Sequence, residues 1–258
     1  LPCLFIKRLK MKLINKSVIL IGYGRWGKII YQKLEKICKN IKICTSKNDY
    51  KQLIKSENID WVVVATNTST HYKIVEFCLL NKKNVFCEKP LTLSYCESKK
   101  LYNIAERNKV KLYVSDVFNY RKDIREKIEN IDKKMPVNVT WQKDISMWKS
   151  DSYNFVFNLM YHDIYILHFL FNKNINVDWP KVNNVLFSYN RGKSKVHMIN
   201  DFSLLHEKNS NDALFDMFVA LFNNNVDFVY NKKITLKTNR IIEKIIEVLT
   251  DEQKNAYK

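Results

Sequence analysis

The sequence predicts an α/β fold in which a doubly wound parallel sheet precedes a smaller α+β domain with a mainly antiparallel open sheet. Two continuous apolar runs, Val18–Ile21 and Trp61–Ala65, are typical of strands buried on both faces of a parallel sheet. A glycine-rich turn, Gly22–Gly27, connects the first run to a helical pattern. After about residue 120, strand-like segments follow one another with few helices between them, which indicates the α+β domain.

The first domain is predicted to span residues 16–120, where strands and helices alternate. Its strands are expected at 18–21, 41–44, 61–65, 84–87 and 111–114. Its helices are expected after Gly27, at 71–81, and from a capping box at Ser94 and Glu97 to about Asn108. This alternation is the pattern of a parallel sheet with helices on both faces.

The second domain is predicted to span residues 121–258. Strand-like segments lie at 136–142, 182–189, 196–205 and 226–230, and helical patterns lie near 159–171, 213–224 and 238–250. Residues 1–15 are interpreted as a loosely attached leader, with Met11 as an alternative start.

Composition limits the classes of function. The chain has 258 residues and a net charge of +18, but its lysines are spread along the whole length. The positive charge is therefore interpreted first as that of a solvated surface. Attraction of an anionic nucleotide is the second interpretation and a nucleic-acid-binding surface the third. No apolar run approaches the roughly 18 residues of a membrane helix. The six cysteines show no metal-ligand spacing, so we expect no metal site and a reducing, cytoplasmic location.

The turn after the first strand fits the pattern G-x-G-x-x-G, placed after a strand and before a helix. Gly22 permits the tight turn, Gly24 lets a pyrophosphate approach the backbone, and Gly27 lets the helix pack on the strand. The backbone N–H groups at the start of the helix favour phosphates. The turn predicts a dinucleotide site, and a purely structural turn is the alternative.

The end of the second strand predicts which dinucleotide binds. A NAD site usually carries an acid there that binds the ribose 2′-hydroxyl, whereas this chain has Thr45, Ser46 and Lys47. Hydroxyls and a lysine suit a 2′-phosphate, so NADP is preferred over NAD. The alternative is that Lys47 is an ordinary loop lysine and that Asp49 binds the ribose.

Polar residues also follow the third and fourth strands. Thr66, Asn67 and Thr68 lie at the edge where such sheets bind ligands, and His71 either contacts the cofactor or supports the helix. Lys89, between Glu88 and Pro90, can exchange a proton with a substrate oxygen during hydride transfer, or it is one surface lysine among many.

Asn158 and His162 are four residues apart and face one side of a helix. The imidazole of His162 can donate or accept a proton near neutral pH, and Asn158 would orient the substrate. A histidine packed in the core is the alternative.

Together these motifs resemble the glucose–fructose oxidoreductase, inositol dehydrogenase and rhizopine-catabolism family (Gfo/Idh/MocA), from about Ser17 to the C-terminus. The stretches that fall in family order are Gly22–Gly27, Asp60–Thr66, His71, Val85–Leu91 and, more weakly, Asn158–Leu167. The resemblance implies a Rossmann domain and a second domain whose open sheet carries substrate and often subunit contacts.

The resemblance also implies roles for individual residues. Lys89 and His162 would be catalytic, with Asn158 beside them. The predicted cofactor-binding residues are Gly22, Tyr23, Gly24, Arg25, Trp26, Gly27, Thr45, Ser46, Lys47, Thr66, Asn67, Thr68, His71, Glu88, Lys89, Pro90 and Asn119. The predicted substrate-binding residues are Lys89, Tyr120, Arg121, Asn158 and His162.

The chain departs from the family at two points. Many members have Asp where this chain has Asn158, and the variant with Asn resembles members that act on nucleotide-linked sugars, including UDP-sugar 3-dehydrogenases. The second domain, 121–258, is short for the family, which would open the substrate pocket, change the oligomer or remove activity.

The leading hypothesis is an NAD(P)-dependent oxidoreductase that acts on a sugar, cyclitol or sugar nucleotide as a homo-oligomer, a dimer or tetramer. One rival hypothesis is a catalytically degenerate sensor or scaffold that binds a dinucleotide. The other is a nucleic-acid-binding protein, a hypothesis supported by the net charge alone.

Overall fold

The computed structural model describes residues 14–56, 58–129, 140–141, 161–162, 164–165, 176–178, 187–191, 194–195 and 212–248. They fall into two compact units. The first unit contains the described residues of Leu1–Glu88, Lys100–Tyr113 and Leu214–Phe228. The second contains those of Lys89–Lys99, Val114–Ala213 and Val229–Lys258.

A five-stranded sheet with strand order β2-β1-β3-β4-β5 is built from the N-terminal part of the chain. The predicted alternation of strands and helices is confirmed. The elements are β1 Ile14–Ile21, α1 Arg25–Leu34, β2 Cys38–Cys44, α2 Tyr50–Ser56, β3 Trp61–Val64, α3 Thr68–Leu80, β4 Asn84–Cys87, α4 Tyr95–Arg107 and β5 Leu112–Val114.

The register of the sheet brings the carboxyl ends of its strands to one edge. β1 pairs in parallel with β2 and with β3, and Ile21 lies opposite both Cys44 and Val64. β3 pairs in parallel with β4, so that Val64 lies opposite Cys87. Ligands of doubly wound sheets bind beyond these ends, so a ligand is expected beside the turns that follow β1, β2, β3 and β4.

The sheet is buried because its central strands carry apolar side chains on both faces. All four residues of β3 are buried, as are the last four of β1. Helix α6, Ala213–Phe222, packs in the same unit although it lies late in the chain. The ring of Phe218 lies 4.8 Å from that of Phe86, and the ring of Phe222 lies 5.8 Å from that of Trp61. Such aromatic pairs add to the apolar burial that holds a helix on a sheet.

The second unit contains a short antiparallel sheet, as the sequence predicted. Strand β8 pairs antiparallel with β6, β7 and β9. The elements of the rest of the chain are a 3₁₀ helix Val117–Tyr120, α5 Lys122–Glu129, β6 Thr140–Trp141, β7 Asn176–Asp178, β8 Phe187–Arg191, β9 Ser194–Lys195 and helix α7 Phe228–Val248. The predicted strand at 196–205 lies outside the described residues.

The predicted strand at 226–230 is wrong, because helix α7 begins at Phe228. The buried side chains that follow repeat every three or four residues, at Asn231, Ile234, Thr235, Thr238, Asn239 and Ile242. That spacing is helical, and it outweighs a five-residue alternation that is too short to decide between helix and strand. None of the helices that the structure describes combines the length and the apolar run needed to cross a bilayer.

Candidate cofactor site and catalytic residues

The glycine turn after β1 is shaped by the backbone around it. Gly22 has a φ of +99°, and a Cβ atom there would overlap the carbonyl oxygen of Ala65. A Cβ atom at Gly27 would overlap the carbonyl oxygen of Gly22. The turn is held to the next strands by hydrogen bonds from Gly22 N to Cys44 O (2.9 Å) and from Ala65 N to Ile21 O (2.8 Å). Gly22 and Gly27 are therefore required by the protein's own packing.

Gly24 differs, because a Cβ atom built on it meets no atom of the described residues within 4 Å. It is the residue that precedes α1, and as the N-cap residue it offers no side chain to the N–H groups of that helix. The first turn of α1 contains no acidic residue. Uncapped N–H groups, a positive helix end and open space above Gly24 fit the pyrophosphate of a dinucleotide. Tyr23, Arg25 and Trp26 line the same turn, and Trp26 is exposed.

The residues predicted to choose between NAD and NADP form an exposed turn after β2. The Asn48 Oδ1 atom accepts hydrogen bonds from Thr45 N (2.9 Å) and Thr45 Oγ1 (3.0 Å). Ser46 and Lys47 lie at the tip of this turn, exposed to solvent. Asp49 Oδ1 accepts a hydrogen bond from Lys51 N (2.8 Å), so Asp49 caps helix α2.

Thr66 and His71 are joined by a hydrogen bond after β3. The imidazole of His71 is 1% exposed, and its Nε2 atom lies 3.1 Å from Thr66 O. The hydroxyl of Thr70 donates to Thr66 Oγ1 and to Asn67 O, both at 2.7 Å. His71 thus supports the loop that carries Thr66, Asn67 and Thr68.

Strand β4 ends at Cys87, and Glu88 and Lys89 follow directly; Cys87 and Glu88 are both buried. Burial, with the negative charge of Glu88 added, raises the pKa of the Cys87 thiol well above its usual value. The thiol stays protonated and behaves as a small apolar side chain. In the second unit, Lys89 is half-buried, Pro90 is buried, and the peptide bond between them is cis.

Three polar groups that the sequence did not place together meet in the second unit. Tyr165 Oη donates to Asp116 Oδ2 (3.1 Å), and Asn119 Nδ2 contacts the same oxygen (3.1 Å) and Tyr165 Oη (3.0 Å). Burial, reinforced by the charge of Asp116, raises the pKa of Tyr165 well above its usual value. The phenol therefore remains a hydrogen-bond donor. Asn119, predicted to face the nicotinamide, is fixed by this cluster.

His162 lies against the 3₁₀ helix that follows β5. Its ring centroid is 4.2 Å from that of Phe118, and the Arg121 guanidinium lies 5.4 Å from the same Phe118 ring. Arg121 also donates from Nε to Asp123 Oδ1 (3.1 Å) and forms an ion pair with Asp123. Burial by itself would raise the pKa of Asp123, but the hydrogen bonds and charge of Arg121 outweigh it and lower that pKa.

The sequence missed Asp116 and Tyr165, although signals for both were present. Asp116 follows the end of β5, which is where doubly wound sheets place functional residues. Tyr165 is three residues after His162, the spacing that places two side chains on one side of the predicted helix near 159–171. Asn158 lies outside the described residues. Among the residues that the structure describes, no group of three or more His, Cys, Asp or Glu side chains is arranged to hold a metal.

Residues 28–116 match the family model of the Gfo/Idh/MocA oxidoreductases, described as an NAD-binding Rossmann fold. Over 103 residues, 38% of this chain, the sequence is 32% identical to a myo-inositol 2-dehydrogenase from Thermotoga maritima. The matched stretch spans 30% of that relative's length.

Solved structures extend the likeness of the fold beyond the Rossmann domain. A UDP-N-acetylglucosamine 3-dehydrogenase from Acidithiobacillus ferrooxidans superposes with a TM-score of 0.70 at 15% identity, covering 90% of this chain and 97% of the other. A scyllo-inositol dehydrogenase from Lactobacillus casei gives 0.63 at 13% identity, covering 90% and 95%. From α1 to the end of β5, the chain is therefore similar to the NAD-binding Rossmann domain of the Gfo/Idh/MocA oxidoreductase family.

Proposed function

We propose that the chain is an NAD(P)-dependent oxidoreductase that transfers a hydride between nicotinamide and a hydroxyl or keto carbon of a sugar, cyclitol or sugar nucleotide. The observation that carries this proposal is the open glycine turn at the N-terminus of α1. Gly24 has free space above it and the helix end is uncapped, while Gly22 and Gly27 are fixed by packing. A site built in this way suits a pyrophosphate.

The chain's own residues supply proton transfer and orientation. The bound dinucleotide would give or take the hydride. Lys89 would hydrogen-bond the oxygen on the reacting carbon of the substrate. It would give a proton to that oxygen, or take one from it, as the carbon gains or loses the hydride. His162 would give or take a proton beside it, and Asn158, Tyr120 and Arg121 would orient the substrate. The Asn158 amide favours a sugar nucleotide over a free cyclitol as the substrate class, by its resemblance to the UDP-sugar members.

Replacing Lys89 tests the catalytic role. Lys89→Ala should lower kcat by about 100-fold or more, since it removes a proton-transfer group, and leave the Kd of NADPH within about twofold. The assay follows NADP⁺ reduction with a panel that includes UDP-N-acetylglucosamine and myo-inositol. Lys99→Ala, at an exposed position on α4, is the matched control. Wild-type turnover in the Lys89→Ala protein would exclude the role.

NADP is the preferred cofactor within this proposal. Lys47 lies exposed at the tip of the turn after β2, and the Asp49 carboxylate is engaged in capping α2. A lysine and two hydroxyls suit a 2′-phosphate, with charge-assisted hydrogen bonds each contributing about 1.5–3 kcal/mol.

Replacing Lys47 tests this preference. Lys47→Ala should weaken NADPH binding by roughly tenfold or more while NADH binding stays unchanged, because only NADPH carries the 2′-phosphate. Fluorescence titration measures both affinities, and Lys39→Ala serves as the control on an exposed strand position. Equal losses for both cofactors would contradict the assignment.

A second candidate is a dinucleotide-binding sensor or scaffold without catalysis, motivated by Asn158 in place of Asp. It would bind NADPH and show no turnover across the whole panel.

The proposal also includes a homo-oligomer, a dimer or tetramer, acting in the cytoplasm. The buried, unpaired thiols of Cys38, Cys44, Cys78 and Cys87 suit a reducing compartment.

A further inference from the structure

The backbone segment after Lys89 is tied to the last described helix by buried hydrogen bonds. Asn239 on α7 donates from Nδ2 to Thr92 O (3.2 Å) and to Ser98 Oγ (2.7 Å). The hydroxyls of Thr92 and Ser98 are 2.8 Å apart, and Thr92 Oγ1 also donates to Ser94 O (2.6 Å). Thr92, Ser98 and Asn239 are each 2% exposed or less.

A second contact lies one turn further along the same helix. Glu243 Oε1 accepts hydrogen bonds from Ser94 Oγ (3.2 Å) and from Tyr95 N (3.3 Å), which is the first backbone N–H of α4. Ser94 was predicted to form a capping box with Glu97, but its hydroxyl donates to Glu243. The carboxylate of α7 therefore stabilises the positive end of α4. Both ends of the loop between Pro90 and α4 are thus held by residues of α7.

These contacts are more directional than a stable core requires. An apolar helix face would fill the same space without burying amide and hydroxyl groups, whose burial is unfavourable unless each finds a partner. Here Asn239 Nδ2 finds two partners, whereas the buried Asn239 Oδ1 has none among the described residues. The hydrogen bonds of Nδ2 form in only one arrangement of their members, so they fix the geometry of the backbone that they bind. The backbone that they bind here begins three residues after Lys89.

We propose that Asn239 is a positioning residue for the proton-transfer step, which it reaches through Thr92 and the loop that carries Lys89. This inference rests on the proposed function, because it assigns Lys89 a role in turnover. A displacement of about 1 Å in a catalytic group can cost on the order of 100-fold in rate. Loss of the network should therefore reduce turnover without touching the dinucleotide turn.

Asn239→Leu tests the inference, because leucine fills similar space and cannot donate a hydrogen bond. The expected result is a kcat that falls by about tenfold or more, with an unchanged Kd and full stoichiometry for NADPH. A merely structural role would lower the number of NADPH sites and leave kcat per site unchanged. Thr238→Val is the control on the same helix, since the buried Thr238 hydroxyl has no hydrogen-bond partner among the described residues.

A second pair of variants keeps the test decisive if Asn239→Leu does not fold. Thr92→Val removes the hydroxyl that joins Ser98 and Ser94, whereas Thr92→Ser retains it, so only the serine variant should keep wild-type kcat. Wild-type kcat per NADPH site in both Asn239→Leu and Thr92→Val would overturn the inference, provided that Lys89→Ala is inactive. An active Lys89→Ala protein would overturn the proposed function itself, and the inference with it.

Discussion

At the scale of single residues, the three glycines of the turn after β1 serve two different needs. Gly22 and Gly27 are required by the fold, because side chains there would overlap the carbonyl oxygens of Ala65 and Gly22. Gly24 faces open space, so the protein's own packing places no demand on it. The difference separates the two glycines that the fold requires from the one that the proposed pyrophosphate site requires.

Alanine substitutions should reveal this difference. Gly22→Ala should lower the free energy of unfolding by about 2–4 kcal/mol, since it combines a positive φ with a backbone clash. Gly24→Ala should change that free energy by less than about 1 kcal/mol and yet weaken NADPH binding at least tenfold, because the methyl group occupies the phosphate space. Urea denaturation and fluorescence titration measure the two effects. A Gly24→Ala protein that binds NADPH normally would contradict this assignment of the turn.

At the scale of secondary-structure elements, a side chain of helix α7 binds the backbone of Val114. Val114 is the final residue of β5, which is the outermost strand in the order β2-β1-β3-β4-β5. The Asn231 amide accepts a hydrogen bond from Val114 N (3.0 Å) and donates one to Val114 O (2.9 Å). A side chain thus makes the two bonds that a neighbouring strand would make. Asn231 is 1% exposed, so water does not replace these bonds.

Replacing Asn231 should be costly for this reason. Asn231→Ala leaves a buried N–H and a buried C=O without partners, and we expect a loss of about 2–4 kcal/mol in the free energy of unfolding. Asn223→Ala is the comparison, because Asn223 is exposed and its side chain donates to Val219 O near the end of α6. We expect less than about 1 kcal/mol there. Similar denaturation midpoints for the two variants would argue against the role of Asn231.

At the scale of the whole molecule, the dominant property is a net charge of +18, from 44 basic and 26 acidic residues. Like charges repel in the compact state more than in the expanded chain, so the folded protein is destabilised at low ionic strength. Among the described residues, the exposed ion pair between Lys122 and Glu126 offsets little of this repulsion.

Salt should therefore stabilise the protein. The thermal midpoint should rise between 10 and 200 mM KCl, because screening becomes effective over about 10 Å near 0.1 M. The measurement should use phosphate-free buffer without NADPH, so that neither phosphate nor the dinucleotide stabilises the protein by binding at α1 or near Lys47. A midpoint that falls with salt would mean that attractive ion pairs outweigh the net repulsion.

Much of the first unit could be predicted from the sequence because its signals are local. Continuous apolar runs predict the buried strands of the sheet, and local patterns predict helices α1, α3 and α4. Helix α2 had no predicted counterpart. The glycine at position 22 predicts a tight turn. Each of these signals lies within a few neighbouring residues. The start of α7 was misjudged because five residues around Phe228 allow either strand or helix, and packing of the longer helix decides.

The sequence by itself determined the order of the five parallel strands, the glycine turn before α1 and the lysine that follows β4. Only the tertiary structure decided the partners of the polar side chains on α7: Asn231 binds Val114, 117 residues away, and Asn239 binds Thr92, 147 residues away. Hydrogen bonds over such separations leave no local pattern. They arise when apolar burial has brought distant segments together, and buried polar groups must then find partners where they lie.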